Sequence, residues 1–170
     1  MSKSSDWAMR EEEKRNGDDG YSDLEIARAE AEYYIRDGYE NKTWHNDELM
    51  EGIWHASTEI LPKLEVQVVI DSEDKIFISS GTSGYVDFKI DPVGMKLPIK
   101  TWIHTHPFGS AYFSGTDIRT VSIWEPLMKT AFVLGGIGHY GYWDNKNPKQ
   151  LQIFRDFEPE RVQEWGDEEE

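Results

Sequence analysis

PIKTWIHTHPFGSAYFSGTD, residues 98–117, joins a strand pattern, a loop and the start of a helix. Apolar and β-branched residues lead up to His106, and the proline that follows ends the predicted strand. Side chains two positions apart on a strand lie on the same face, so His104 and His106 point in the same direction. Ser114 is a residue type that caps helices, which places Asp117 in the first turn of the next helix. The segment therefore predicts a local unit that brings two imidazoles and a carboxylate together.

Two histidines and one carboxylate are the residue types of a catalytic zinc site. Such a site takes three protein ligands and keeps the remaining position for water. His104, His106 and Asp117 offer this set, and no obvious fourth ligand for a closed structural site lies nearby in the sequence. A His-x-His pair without metal, or an N-cap with an acidic residue three positions later, is common when either occurs alone. Their combination, with the proline and the fixed gap, predicts one Zn²⁺ ion.

The rest of the chain predicts helices first and then a mostly antiparallel sheet. Ser22 and Glu25 form a capping-box pattern ahead of LEIARAEAEYYIRD, which predicts a helix that ends before Gly38. A second helix is predicted at about 47–61, and an inserted helix begins near Ser114. Alternating β-branched and aromatic residues predict strands at 65–70, 75–79, 84–90, 98–106, 130–135, 139–143 and 151–154. This order points to the α+β class, a mixed α/β sandwich.

Composition and charge exclude several classes of function. The chain has 170 residues, which suits one domain with short additions at its ends. It has no cysteine, which excludes disulfides, thiol nucleophiles and Cys-ligated zinc. Its net charge of −15 repels nucleic acid phosphates and anionic lipids, so neither nucleic acid nor membrane is expected as a partner. The sequence shows no apolar leader and no run long enough to span a bilayer, so a soluble cytoplasmic protein is expected.

The spacing of the candidate ligands resembles the signature of a known enzyme family. His-x-His, seven residues, Ser, two residues, Asp is the pattern of the JAMM or MPN+ (JAB domain) zinc metallopeptidases, and here the seven residues run from Pro107 to Phe113. The preceding IDPVGMKLPIKTWIHTHP is also similar to that family's approach to its histidine strand. The resemblance covers about 46–155. It implies a cytidine-deaminase-like core, a mostly antiparallel sheet flanked by helices, with an extra N-terminal helix.

The resemblance implies a role for each residue that matches the motif. His104, His106 and Asp117 would hold the catalytic Zn²⁺, which activates a water and polarises the scissile carbonyl. Ser114 would donate a hydrogen bond to the developing oxyanion.

A glutamate must act as the general base in this scheme. It takes the proton of the water and passes it to the leaving amine. In the family this residue opens the first core strand, where Glu65 stands in this sequence. Glu59 is the alternative, six residues earlier and predicted on the helix.

The chain is expected to divide into four parts, of which the catalytic domain is implied by the resemblance and the others by composition and charge. Residues 1–22 form a flexible acidic N-terminus, and 23–45 form an N-terminal helical extension. Residues 46–157 form the JAMM-like catalytic domain, and 158–170 form a solvated acidic tail. None of these parts indicates an oligomeric state.

The expected activity is hydrolysis of a peptide or isopeptide bond, with a peptide or a ubiquitin-like protein as substrate. Short turns between Glu65 and His104 leave only modest room for the insertions with which deubiquitinases hold a modifier. The alternative is a non-catalytic MPN-like scaffold, although such domains typically lose the metal ligands.

Two further alternatives stay open. Phe108, Tyr112 and Phe113 either line a substrate groove or pack the loop, and the helix at 23–36 either docks on a partner or covers the site.

Overall fold

The structure is a computed structural model that describes residues 22–39, 47–81, 94–155 and 158–165. The predicted strand 84–90 and almost all of the segment 1–22 lie outside the described residues. Within the described part, the helices are α1 (Asp23–Gly38), α2 (Asp47–His55) and α3 (Gly115–Trp124). A π-helical turn follows α2 and a 3-10 turn follows α3, and their bounds are Ala56–Ile60 and Glu125–Leu127. None of the helices described here is long and apolar enough to cross a bilayer.

The strands of the described residues form one sheet, which has seven strands. They are β1 (Val66–Ile70), β2 (Ile76–Ser80), β3 (Ile99–Thr105), β4 (Met128–Gly136), β5 (His139–Asp144), β6 (Gln150–Arg155) and β7 (Glu158–Glu164). The order across the sheet is β2-β1-β3-β4-β5-β6-β7. Every neighbouring pair is antiparallel except β3 and β4, which are parallel. A parallel pair needs a crossover connection, and α3 supplies it. The predicted α+β class with a mostly antiparallel sheet is confirmed.

Helix α1 begins and packs as the sequence predicts. The Ser22 side chain accepts a hydrogen bond from the backbone N–H of Glu25 at 3.1 Å, which satisfies a donor that the first turn leaves unpaired. Ala31 and Ile35 are the buried residues of its apolar stripe. They join α2, β1 and β3 in one hydrophobic cluster, so α1 shares a core with the sheet.

The two faces of the sheet carry two separate cores. Ile103 points into the cluster that α1 and α2 cover. Trp102, one position earlier, points into the cluster that α3 covers, because successive side chains of a strand alternate between faces. His104 stacks on Trp102 and therefore lies on the α3 face. The hypothesis that the N-terminal helix covers the candidate site is wrong, because α1 packs on the opposite face; its docking on a partner stays a hypothesis.

The solvated tail predicted for 158–170 does not begin at Glu158, and residues 166–170 lie outside the described residues. Glu158–Glu164 forms β7, which pairs antiparallel with β6 at the edge of the sheet. Trp165 then packs against the core of the α3 face, with its ring 6.5 Å from that of Trp143. The backbone N–H of Trp165 donates to the backbone carbonyl of Lys149 at 2.6 Å. The pairing with β6 and the packing of Trp165 hold this segment in place. Its mostly charged residues lack the alternation of apolar and polar side chains that predicts a strand.

Candidate metal centre

The two histidines lie at the end of the central strand β3. His104 is its penultimate residue and is only 1% exposed. His106 follows the strand directly, and its backbone N–H still donates to the carbonyl of Leu134 on β4 at 2.8 Å. This bond continues the parallel pairing past the last strand residue. Backbone hydrogen bonds of the sheet therefore fix the backbone of both histidines. Both rings face the same side of the sheet, as predicted.

The carboxylate of Asp117 comes from the first turn of α3. Ser114 is the N-cap, and its Oγ accepts from the backbone N–H of Asp117 at 3.1 Å. In return, the backbone N–H of Ser114 donates to Asp117 Oδ2 at 2.9 Å. This reciprocal pair is a capping box, so the ordinary capping interpretation of Ser114 and Asp117 is correct. The capping box also fixes the direction in which the carboxylate points.

The three side chains converge on one point. Asp117 Oδ2 lies 3.0 Å from His104 Nε2 and 3.2 Å from His106 Nε2. All three potential ligand atoms lie within 4.8 Å of one another. In a tetrahedral zinc site with bonds of about 2.0–2.1 Å, neighbouring ligand atoms are roughly 3.3 Å apart. The predicted ligands are brought together, and this buried group could hold a metal ion.

The imidazole of His106 is oriented by the loop that follows it. His106 Nδ1 lies 3.0 Å from the carbonyl oxygen of Ser110. A carbonyl can only accept, so Nδ1 carries the hydrogen and Nε2 presents its lone pair toward Asp117 when the ring is neutral. A second hydrogen bond of this kind is what sets the tautomer of a metal-binding histidine.

The charges in the group are strongly coupled. Burial alone would raise the pKa of Asp117, but the imidazoles and the N–H of Ser114 hold it well below its usual range. Burial lowers the pKa of His106, yet the hydrogen bond and charge of Asp117 outweigh that and raise it. The carboxylate is therefore ionised at neutral pH, which is the form that a metal ion requires.

The imidazole ring of His104 lies among aromatic side chains. Its ring stacks on Trp102 with 4.4 Å between centroids, and it meets the edge of Phe113 at 6.2 Å. Among the described residues, neither ring nitrogen finds a hydrogen-bond partner, because the 3.0 Å approach to Asp117 lacks hydrogen-bond geometry. Buried nitrogens without partners are costly, and a metal ligated by Nε2 would satisfy one of them. The donor set fits a metal ion.

Of the two candidate bases, Glu65 lies beside the cluster and Glu59 does not. Gln67 pairs with His104 across β1 and β3, and continuing that register places Glu65 across from His106. Glu65 is 7% exposed. Burial raises its pKa, the charges of the two imidazoles oppose that rise, and the charge of Asp117 adds to it. Glu59 is exposed on the π-helical turn.

The aromatic residues of the loop separate into two groups. Phe113 is 5% exposed and packs against His104, so its role is in the core. Phe108 is 70% exposed and Tyr112 is 48% exposed. The Nζ atom of Lys63 lies 6.0 Å from the centre of the Phe108 ring. The substrate-groove interpretation therefore stays open for Phe108 and Tyr112 only.

Two glycines of the sheet support the loop, and sequence reasoning missed them. A Cβ atom at Gly135 would lie 2.7 Å from the backbone N of Ala111 and 2.7 Å from the carbonyl carbon of Ser110. A Cβ atom at Gly141 would collide with the carbonyl oxygen of Ala111. The loop therefore rests directly on the backbone of β4 and β5, which holds the Ser110 carbonyl against His106. Glycine inside a strand often marks such a close approach, and that was the available signal.

Comparison of the chain with protein-family models, with curated proteins and with solved structures found no significant match.

Proposed function

We propose that the protein is a zinc-dependent peptidase or isopeptidase of the JAMM type. The observation that carries the proposal is the convergence of His104, His106 and Asp117 on one point, with the buried carboxylate of Glu65 across from His106. Two neutral imidazoles and one carboxylate are the ligand set of hydrolytic zinc sites. The substrate is an amide bond in a peptide or in a ubiquitin-like protein conjugate.

Each part of the proposed site has its own role in amide hydrolysis. A bound zinc ion supplies a Lewis acid that polarises the carbonyl and makes water acidic near neutral pH. Glu65 accepts the proton of the attacking water and delivers it to the leaving amine.

Ser114 supports the transition state from the helix N-terminus. Its Oγ accepts the N–H of Asp117, and this bond leaves the hydroxyl hydrogen as a donor. Ser114 is exposed, so a substrate carbonyl can reach it. The hydroxyl donates to the oxygen on which negative charge develops.

The test of the proposed function is a zinc determination on the purified protein, combined with a hydrolysis screen. The screen uses ubiquitin-like fusions and short peptides, and a chelator control follows each positive result. We expect about one zinc per chain and activity that the chelator removes and zinc restores. A non-catalytic scaffold predicts no stoichiometric zinc. Zinc at full occupancy with no hydrolysis of any substrate contradicts the enzyme and leaves a metal-binding domain.

We expect Ser114→Ala to lower kcat by about 100-fold or more, the cost of removing one oxyanion donor. The zinc content stays at one equivalent, because Ser114 is not a ligand. The same change removes a helix cap, which costs about 1 kcal/mol of stability. Ser114→Thr is the matched control, because it keeps the hydroxyl for both tasks. Equal kcat in the alanine variant and the wild type contradicts the oxyanion role.

We expect Phe108→Ala to raise KM several-fold at nearly unchanged kcat, if this exposed ring contacts the substrate beside the metal. Ile123→Ala is the matched control, because Ile123 is similarly exposed, at 66%, on α3. The measurement is steady-state kinetics on the best substrate of the screen. An unchanged KM assigns Phe108 to the loop alone.

A further inference from the structure

Two buried hydroxyls connect the backbone on both sides of Glu65. Ser57 and Thr105 are each 0% exposed. Ser57 Oγ donates to the carbonyl oxygen of Leu64 at 2.5 Å and lies 2.8 Å from Thr105 Oγ1. Thr105 Oγ1 in turn accepts the backbone N–H of Val66 at 2.9 Å. The bonded backbone groups belong to the residues immediately before and after Glu65.

The donor and the acceptor can be assigned for each of these three hydrogen bonds. The Leu64 carbonyl can only accept, so Ser57 gives it the hydroxyl hydrogen. The bond between the two hydroxyls must then use the hydrogen of Thr105. Thr105 is left to accept from Val66 N–H, which it does. Each hydroxyl donates once and accepts once, and a fully satisfied buried network of this kind is rigid.

The surrounding backbone explains why these two residues meet. Thr105 lies between the two histidines in the sequence, so its side chain points to the opposite face of β3. It cannot reach the metal group, which consists of His104, His106 and Asp117. Ser57 lies in the π-helical turn Ala56–Ile60, and its carbonyl oxygen also accepts the N–H of Leu64 at 3.3 Å. Single π-helical turns occur frequently at functional sites. The carbonyl of Glu65 itself accepts the N–H of Gly81 at 3.0 Å.

We infer that Ser57 and Thr105 are positioning residues that hold the backbone of Glu65 in the conformation that aims its carboxylate at the metal group. Both peptide groups that flank the Cα atom of Glu65 are tied to this hydroxyl pair, so the pair restricts the two backbone dihedrals of Glu65. Neither hydroxyl touches the reacting atoms. This inference rests on the proposed function, in which Glu65 is the general base.

The experiment compares Thr105→Val and Ser57→Ala with the wild type in the full chain. We expect kcat to fall about 10- to 100-fold, because a small misplacement of a catalytic group costs that much. KM and the zinc content stay within about twofold, because neither residue contacts substrate or metal. Thr105→Ser keeps the hydroxyl and restores most of kcat.

A matched control separates positioning from general damage to the core. Thr130 is 7% exposed on β4, and its hydroxyl donates to the carbonyl of Lys100 at 2.7 Å. Thr130→Val removes one buried hydroxyl from the same sheet, away from Glu65. We expect it to lower the melting temperature like Thr105→Val and to leave kcat within about twofold of wild type. If Thr130→Val and Thr105→Val lower kcat equally, or if zinc is lost in proportion to kcat, the inference is overturned.

A second experiment tests the inference and does not depend on enzymatic activity. Amide hydrogen exchange of Val66 reports the bond to Thr105, and crystal structures of the zinc-loaded variants report the Glu65 carboxylate. We expect Thr105→Val to speed exchange at Val66 by about tenfold or more and to displace or disorder the carboxylate, while Thr130→Val does neither. An unmoved, ordered carboxylate in Thr105→Val overturns the inference. A zinc-loaded wild type that hydrolyses nothing overturns the proposed function, and the carboxylate comparison still decides the role of the hydroxyl pair.

Discussion

Replacing Glu65 with glutamine is expected to lower kcat about a thousandfold while the protein keeps its full equivalent of zinc. Glutamine has nearly the same shape, but its amide cannot accept the proton of the attacking water, and general base catalysis contributes about 10²- to 10⁴-fold. The ligands His104, His106 and Asp117 are unchanged. The measurements are kcat on the best substrate of the screen and zinc per chain by elemental analysis.

Glu59→Gln is the matched control for this result. Glu59 is the other candidate base and is exposed on the π-helical turn, so its variant should behave as wild type. Retained activity in Glu65→Gln with lost activity in Glu59→Gln would transfer the role to Glu59. Loss of zinc in Glu65→Gln would show that Glu65 supports the metal group instead of acting on water.

Asp117→Ala is expected to release zinc and to abolish activity with it. Replacement of residues that only support a ligand already costs about 10- to 100-fold in metal affinity, so loss of a ligand itself costs more. The variant also loses the thermal stabilisation that bound zinc gives to the wild type, which is about 2.7 kcal/mol at a free zinc concentration of 100 times Kd. The measurements are zinc affinity by competition with a chelator, and melting temperature with and without zinc.

Asp117→Asn separates the ligand role from the capping role. The asparagine oxygen still accepts the N–H of Ser114, so the start of α3 stays capped, but the neutral amide is a poor zinc ligand. We expect the metal-free asparagine variant to melt above the metal-free alanine variant, because it keeps the cap, and to bind zinc as weakly as the alanine variant does. A full equivalent of tightly bound zinc in either variant would contradict Asp117 as a ligand.

The local parts of the fold could be predicted from the sequence. Helix α1 was predicted from its capping pattern and its apolar stripe, and β3 from its β-branched residues, because both signals lie within a few consecutive residues. The cluster of His104, His106 and Asp117 could be predicted for the same reason, since these residues occupy one continuous segment in which the strand and the helix cap determine the side-chain directions. The position of Glu65 beside this cluster could be predicted only from its place just before β1.

The remaining features depend on contacts between distant residues. The helix predicted at 47–61 changes to a π-helical turn after His55, and apolar periodicity does not indicate such a change. Strand β7 forms because β6 offers its free edge and Trp165 finds an apolar site, although its own residues are mostly charged. The hydroxyl pair joins residues that are 48 positions apart, which no local pattern can predict.

The glycines under the loop limit how the length of the segment between His106 and Ser114 could change. The loop lies against the bare backbone at Gly135 and Gly141, so it cannot bulge toward the sheet. An inserted residue would have to rise into solvent, and the carbonyl of Ser110 would then leave the ring of His106. The length of this connection therefore helps to hold the three side chains together. A chain with a longer or shorter connection would need a different support for the imidazole of His106.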